Sequence, residues 1–318
     1  MKLSVVIPVY GCRAALPELH RGLTESVAQI TTDYEIILVN DACPQNSWET
    51  IQELCNKDEH VIGIELSRNF GQLKATLAGL DVSSGDWIVV MDCDLQDRPE
   101  EIINLYAKCQ EGYDIVIASR KQRQDSKLKI LVSNVFYSFY SFVTEVKYDP
   151  SLCNFSICSR KVINQYCKMR EIHRAYIMYL LWMGFQWTTL EVEHNKRFEG
   201  KSGYNFKKRM EMAIDILTSQ SDKLLRLTTK IGLTISALSF IYFVVTVIRH
   251  FTEDIIMGYS STIALILLMG GLTILSVGLV GLYVGNIFME VKHRPLYIIR
   301  TLQKGSQDTN EKTCNNRC

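Results

Sequence analysis

The segment Asp92-Cys93-Asp94-Leu95-Gln96 sets two carboxylates and an amide on a short turn directly after the apolar run Trp87-Ile88-Val89-Val90-Met91. Oxygen ligands of this kind suit a hard divalent cation, Mg2+ or Mn2+, whose remaining positions stay open to a diphosphate. An ion held at Asp92, Asp94 and Gln96 would neutralise the charge that builds on a departing nucleoside diphosphate. An Asp-x-Asp pair also arises by chance and in turn capping. The strand-like run before it turns the reading toward chemistry.

Further polar residues stand where a nucleotide could meet them. Asp41 follows the run Ile37-Leu38-Val39-Asn40, where its carboxylate could accept a hydrogen bond from a base or ribose or could cap the helix that begins near Ser47. Tyr10, two residues after Pro8, offers an aromatic edge to a base. Ser67-Arg68-Asn69-Phe70-Gly71 could bring backbone amides, at Gly71 for example, or the Arg68 guanidinium near a diphosphate, or could be a plain loop. Two basic clusters, Arg120 to Lys129 and Lys196 to Arg209, carry few opposing acids. Near an anionic leaflet each such charge contributes about 1 kcal/mol of attraction. Arg120, Arg197 and Ser202 are the members we single out as contacts for an acceptor phosphate; a solvated face accounts for most of the others.

The elements that would position these residues alternate. Leu3–Ile7, Glu35–Val39, Val61–Leu66, Trp87–Met91 and Ile115–Ala118 read as buried parallel strands, short, apolar and β-branched. Ala14–Ile30, Ser47–Asn56, Gln72–Leu80 and Pro99–Gln110 read as helices between them. This order predicts a doubly wound parallel sheet with ligands at the carboxyl ends of its strands, where the polar residues above fall.

Beyond residue 206 the character changes. Residues 255–289 contain no charged side chain, and 231–248 form a second uncharged apolar stretch. A spanning helix needs roughly 20 apolar residues, so Ile231–Ile248 and Tyr259–Met289 read as two spans. Lys223, Arg226 and Lys230 before them and Lys292, His293, Arg294 and Arg300 after them place both termini in the cytoplasm by the positive-inside rule. Met210, Ile214 and Leu217 against Lys207, Lys208 and Arg209 read as an amphipathic helix, lying at the membrane interface or packed on the α/β domain. With 35 Lys and Arg against 34 Asp and Glu, the net charge of +1 makes no case for nucleic acid. The 10 cysteines lack metal-type CxxC spacing and, in a cytoplasmic domain, read as reduced thiols.

Several segments together resemble a known family. Ser4-Val5-Val6-Ile7-Pro8-Val9-Tyr10, Leu38-Val39-Asn40-Asp41, Leu66-Ser67-Arg68-Asn69-Phe70-Gly71-Gln72, Met91-Asp92-Cys93-Asp94-Leu95-Gln96-Asp97 and Arg197-Phe198-Glu199-Gly200-Lys201-Ser202-Gly203-Tyr204 are similar to the family-two inverting glycosyltransferases. Within them they resemble the polyprenyl-phosphate branch, which includes bactoprenol glucosyltransferases, aminoarabinose transferases and dolichol-phosphate mannose synthase. Glu290-Val291-Lys292-His293-Arg294-Pro295-Leu296-Tyr297 is similar to the tail motif of that branch. The resemblance implies a GT-A fold, a UDP- or GDP-sugar donor, a divalent ion at Asp92, Asp94 and Gln96, base binding by Pro8, Tyr10 and Asp41, and a tetramer of two-span subunits. The chain departs from the family at Gly11-Cys12-Arg13, where Asn-Glu-Glu is usual. It departs again at Cys153-Asn154-Phe155-Ser156, where the family has Gly-Asp-Phe-Arg with a proposed catalytic aspartate. Asn154 cannot act as a base, and we assign it to orienting the sugar or acceptor.

The sequence therefore reads as a GT-A catalytic domain over 1–206, an amphipathic juxtamembrane helix over 207–229, a two-helix transmembrane hairpin over 230–290 and a cytoplasmic tail over 291–318. Its expected activity is transfer of a sugar, with inversion, from a nucleotide sugar (UDP-hexose) to polyprenyl phosphate at the plasma membrane. Transfer to another lipid or glycan acceptor, and a non-catalytic sugar-nucleotide-binding scaffold, are the alternatives.

Overall fold

The computed structural model describes residues 1–120, 151–172, 174–193, isolated positions between 225 and 241, and 259–305. The chain divides into two compact units, the first holding the N-terminal α/β region together with the segment from Pro295 onward.

Eight strands form one sheet in the order β7-β5-β6-β4-β1-β2-β3-β8. They are β1 (Leu3–Val9), β2 (Tyr34–Asn40), β3 (Val61–Leu66), β4 (Trp87–Val90), β5 (Ile115–Arg120), β6 (Leu152–Ser159), β7 (Trp187–Val192) and β8 (Ile299–Lys304). Among the described residues the first unit's helices are α1 (Leu16–Val27), α2 (Ser47–Lys57), α3 (Gln72–Val82), α4 (Glu101–Cys109), α5 (Arg160–Lys168) and α6 (Tyr176–Trp182). Side chains alternate across each strand. Val5 and Ile7 join α1, α2 and α4 in one core, while Val6 faces the opposite way into the core of α3, α5 and α6. Gly79 of α3 marks the closest approach to the sheet, where an added Cβ would lie 2.4 Å from Val6 Cγ1.

The five expected strands are present, and the four from β1 to β4 form a parallel block. The wholly parallel sheet is corrected to a mixed one. β6 runs antiparallel between β4 and β5, and β8 runs antiparallel along β3. The sequence pattern predicts none of β6, β7 and β8; Asn154, Ser156 and Ser159 break the apolar run of β6, and β8 is the polar sequence Ile-Arg-Thr-Leu-Gln-Lys. Insertion of β6 keeps β5 pointing the same way as β4, so the carboxyl ends of β1 to β5 share one edge with the amino end of β6. The segment after the last apolar stretch thus contributes an edge strand, which covers the open side of β3. It is tied down by the Tyr297 hydroxyl, which donates to Asp81 Oδ2, while Arg170 grips both Asp81 oxygens at 2.7 and 2.9 Å.

In the second unit, α7 (Tyr259–Val291) is 33 residues long, about 50 Å at the usual helical rise. Within it Met269–Val291, with mean hydropathy 1.9, is the one helix among the described residues long and apolar enough to cross a bilayer. Ile266, Ile274, Val277, Val284 and Ile287 are all exposed. The first expected span and the amphipathic segment fall almost wholly outside the described residues.

At the edge away from the polar strand ends, Glu35 is buried within apolar β2. It accepts hydrogen bonds from Ser4 Oγ (2.6 Å), Ser84 N (2.6 Å) and Ser84 Oγ (2.9 Å), and pairs with Lys2 Nζ at 2.8 Å. Burial raises its carboxyl, but Lys2, Ser4 and Ser84 outweigh burial and hold it below the ordinary 4.5. Its stabilisation is therefore full above about pH 4.5 and is lost as pH falls through the lower folded value. Glu35→Gln should cost about 1–3 kcal/mol at neutral pH. Thermal unfolding in detergent should show the gap from wild type narrowing below pH 4.5, and an unchanged gap down to pH 3 would contradict this account.

Candidate active site

The common edge is organised by Asp41, which immediately follows β2. Asp41 N extends the ladder by donating to Val9 O (3.1 Å), and the side chain is buried. Its Oδ1 accepts from Phe70 N (2.7 Å) and its Oδ2 from Gly71 N (2.9 Å), so the carboxylate clamps the loop between β3 and α3. It does not cap α2, whose N-cap is Asn46. Burial raises the Asp41 carboxyl above its ordinary value, against the lowering effect of the two amides, Arg68 and Lys74. Lys74 is lowered by burial and by nearby Arg68. Gly71, at φ +94, supplies the backbone conformation that aims both amides at Asp41. These two amides are thereby committed to Asp41 rather than turned outward toward a diphosphate. Arg68 is exposed, its guanidinium carbon 4.4 Å from the centre of the Phe70 ring.

The clamp reaches the aspartate pair through one more residue. Gln72, the first residue of α3, donates from Nε2 to Asp92 Oδ1 at 2.6 Å. Beyond Asp92 the turn is closed by Gln96 N donating to Asp94 Oδ1 (3.2 Å), with Leu95 at φ 58. A non-glycine residue in that region costs about 1–3 kcal/mol and persists where the surroundings enforce it. Ala42, at φ 48 directly after Asp41, is a second such residue on the same edge. Among the described residues no group of three or more His, Cys, Asp and Glu side chains converges as a metal site. Asp92, Asp94 and Gln96 nonetheless form an all-oxygen donor set on one turn, which fits a hard divalent cation that takes its other ligands from a diphosphate.

The reduced-thiol reading requires a correction, because Cys12 and Cys93 are joined as a disulfide across 81 residues of sequence. Linear spacing hid the pair; the adjacency of β1 and β4 creates it. Cys43 remains a free thiol and accepts hydrogen bonds from Gly11 N (3.1 Å) and Ser47 Oγ (3.0 Å). Burial raises this thiol, but Ser47, Gly11 and Gln45 together hold it below its ordinary value. Arg13 turns toward α2, where Nη2 meets Glu49 at 3.0 Å and Nε donates to Thr50 at 3.2 Å.

Pro8 is buried in register with Val39, and Tyr10 is 52 % exposed just past the end of β1. Asn154 lies near the amino end of β6 and is half-buried. The last β4–β6 pair is Val90↔Ser156, and Asn154 and Asp92 each lie two residues beyond it toward the shared edge. Arg120 ends β5 opposite Val192, although its side chain lies outside the described residues, as do Arg197 and Ser202 altogether. Pro8, Tyr10, Asp41, Gly71, Asp92, Asp94, Gln96 and Asn154 therefore all lie at or near the shared edge of the sheet, with Asp41 bonded to Gly71, Gln72 to Asp92 and Gln96 to Asp94. Sequence reading missed Gln72 as the support of Asp92. Its place at the end of the Leu66-to-Gln72 motif was the available signal.

The family model for glycosyl transferase family 2 matches residues 4–166, which contain Asp41, the Asp92–Asp94 turn and Asn154. The SfII prophage-derived bactoprenol glucosyl transferase of Shigella flexneri is 33% identical over 308 residues, covering 96% of this chain and 100% of that protein. The undecaprenyl-phosphate 4-deoxy-4-formamido-L-arabinose transferase of Proteus mirabilis is 33% identical over 305 residues, covering 94% and 93%. In fold, the chain is similar to the crystal structure of mannosyl-3-phosphoglycerate synthase from Rubrobacter xylanophilus, with a TM-score of 0.50, 12% identity, and coverage of 73% of this chain and 75% of that one. The mixed α/β sheet, the ordered strand-end motifs and the near full-length similarity place this chain in glycosyl transferase family 2.

Proposed function

We propose that the protein transfers a sugar, with inversion, from a UDP-hexose to the phosphate of a polyprenyl lipid at the cytoplasmic face of the plasma membrane. The observation that carries this reading is the presence, in one chain, of a supported aspartate pair at the strand ends and a bilayer-length helix with exposed apolar side chains. Relatives that align along nearly the whole chain bear the names bactoprenol glucosyl transferase and undecaprenyl-phosphate aminosugar transferase, which supports the acceptor class. In this reading residues 1–206 form the catalytic domain, with 299–304 completing its sheet. The 207–229 helix lies at the interface, 230–290 spans the membrane twice, both termini are cytoplasmic, and the subunits assemble as a homotetramer.

The chemistry then follows from charge. A phosphate monoester has a second pKa of roughly 6, so the acceptor is largely dianionic at neutral pH and attacks without losing a proton. A phosphate oxygen forms the new bond to the anomeric carbon as the bond from that carbon to the nucleoside diphosphate breaks on the opposite face. A divalent ion, when bound, supplies charge neutralisation for the leaving diphosphate. Asp92 and Asp94 would hold that ion at the diphosphate end of the donor, with Gln72 fixing the Asp92 carboxylate. Tyr10 meets the base, and Pro8 and Asp41 shape the wall behind it. Arg120, Arg197 and Ser202 grip the acceptor phosphate. Asn154, toward the same edge as Asp92, hydrogen-bonds the sugar or the incoming phosphate, and orientation of this kind is itself a large part of the rate.

Purified full-length protein, incubated with undecaprenyl phosphate, Mn2+ and a panel of labelled sugar nucleotides, should release nucleoside diphosphate and yield an organic-extractable sugar phosphate. Asp94→Asn should lower this by more than about 100-fold, since loss even of an outer partner of a bound metal costs roughly 10–100-fold. Nucleotide binding with no lipid product would favour the scaffold reading. Product on diacylglycerol or glycan alone would move the acceptor.

A second measurement concerns Asn154. With no protein base required, the wild-type rate should rise with pH through about 6 as the acceptor ionises and then level off. Asn154→Ala should lower turnover and leave UDP binding intact. Full turnover and unchanged sugar preference in that variant would remove Asn154 from the mechanism.

A further inference from the structure

Sulfur is concentrated on the same strand edge as the aspartate pair. Cys12 opens the turn after β1, Cys93 stands between Asp92 and Asp94, and their Cα atoms are 6.2 Å apart. That separation lies within the span of about 4.4–6.8 Å that disulfides bridge. β1 and β4 are paired neighbours through Val6↔Val90, and Met91 N donates to Val6 O at 3.2 Å, so pairing the two sulfurs needs no rearrangement of the sheet. A third sulfur is close, since Cys43 Sγ accepts from the amide of Gly11, the residue before Cys12. In a compartment that keeps thiols reduced, disulfides in mesophilic proteins are chiefly transient and catalytic or redox-sensing.

We propose that Cys12 and Cys93 form a reversible thiol–disulfide switch on the turn that carries Asp92 and Asp94, closed by low-molecular-weight disulfides and reopened by dithiols. The inference rests on the reading of that turn as the cation- and nucleotide-holding site. In the closing reaction one cysteine thiolate attacks a sulfur of the small disulfide, forms a mixed disulfide and expels one small thiol. The other cysteine attacks the mixed disulfide and expels the second. Two protein thiols are oxidised by two electrons, the small disulfide is reduced to two thiols, and the two protons leave with them. The bond ties the residue between the two carboxylates to the turn after β1. A divalent ion held by Asp92 and Asp94 would need both carboxylates to adjust to it, and anchoring the turn at its centre restricts that adjustment. Reduction frees it. Cys12 and Cys93 are only 7 % and 5 % exposed, so exchange proceeds through opening of this turn, which a nucleotide held there would cover.

Full-length protein in detergent is treated with glutathione disulfide or with dithiothreitol. Non-reducing digestion with mass spectrometry then reads the Cys12–Cys93 cross-linked peptide, and calorimetry reads Mn2+-dependent UDP binding. Oxidation should create the peptide and weaken UDP binding by about tenfold or more, the lower end of what disturbing a metal's supporting shell costs, and dithiothreitol should reverse both. Cys12→Ser should bind UDP equally well with and without oxidant, and UDP with Mn2+ should slow cross-linking of the wild type. Absence of the peptide, or equal responses of wild type and Cys12→Ser, would overturn the switch. Cross-linking in a protein that binds no UDP even when reduced would overturn the nucleotide reading of the turn instead.

Discussion

One buried carboxylate organises the edge of the sheet. Asp41 takes two backbone amides from the loop between β3 and α3 and so ties that loop to the end of β2. Because the loop's last step is the start of α3, the same contact fixes the origin of Gln72, and Gln72 holds Asp92. The end of β2, the loop into α3 and the turn after β4 are thereby linked through three side chains, Asp41, Gln72 and Asp92. A buried charge is tolerated here because each oxygen has a donor and because Arg68 and Lys74 lie near, although burial still raises the carboxyl above its ordinary value.

The sheet explains why these residues meet at all. In the parallel block every strand delivers its carboxyl end to the same edge, and each loop there is free of the constraints that pack the helices on both faces. β6 departs from that plan and still serves it. By running in reverse between β4 and β5 it brings its beginning, with Asn154, to the edge where they finish. β8 departs in a different way, sealing the β3 edge with residues that follow the apolar helix in sequence. The Tyr297–Asp81–Arg170 cluster anchors this return and gives the tail motif a structural duty within the first unit.

Backbone strain and chemical reactivity gather at the same edge. Ala42 and Leu95 both sit at positive φ, each directly after an aspartate of the site. A turn held in such a conformation responds sharply to a new restraint, and the Cys12–Cys93 bond applies one at the residue between the two carboxylates. On the proposed reading, an acceptor that is already dianionic would need no base beside it, and the neutral amide of Asn154 would add a hydrogen bond without repelling the incoming phosphate.

Much of this was legible along the chain. Five apolar runs of strand length, the helices between them and the polar residues at their ends were visible because strand and helix periodicities are local properties. The Asp92–Asp94 turn was visible for the same reason, as were the long uncharged stretches. What the sequence could not display were relations between distant segments. β6 was obscured by Asn154 and its serines, β8 by its polar composition, and the Cys12–Cys93 pair by 81 intervening residues. The role of Asp41 could not be chosen from a string that offered both a helix cap and a ligand contact. Composition and periodicity determined which elements form and which chemistry the chain carries. Only tertiary structure decided which strand ends are neighbours, because hydrogen-bonded register is a property of pairs, and a carboxylate's function depends on the donors that reach it.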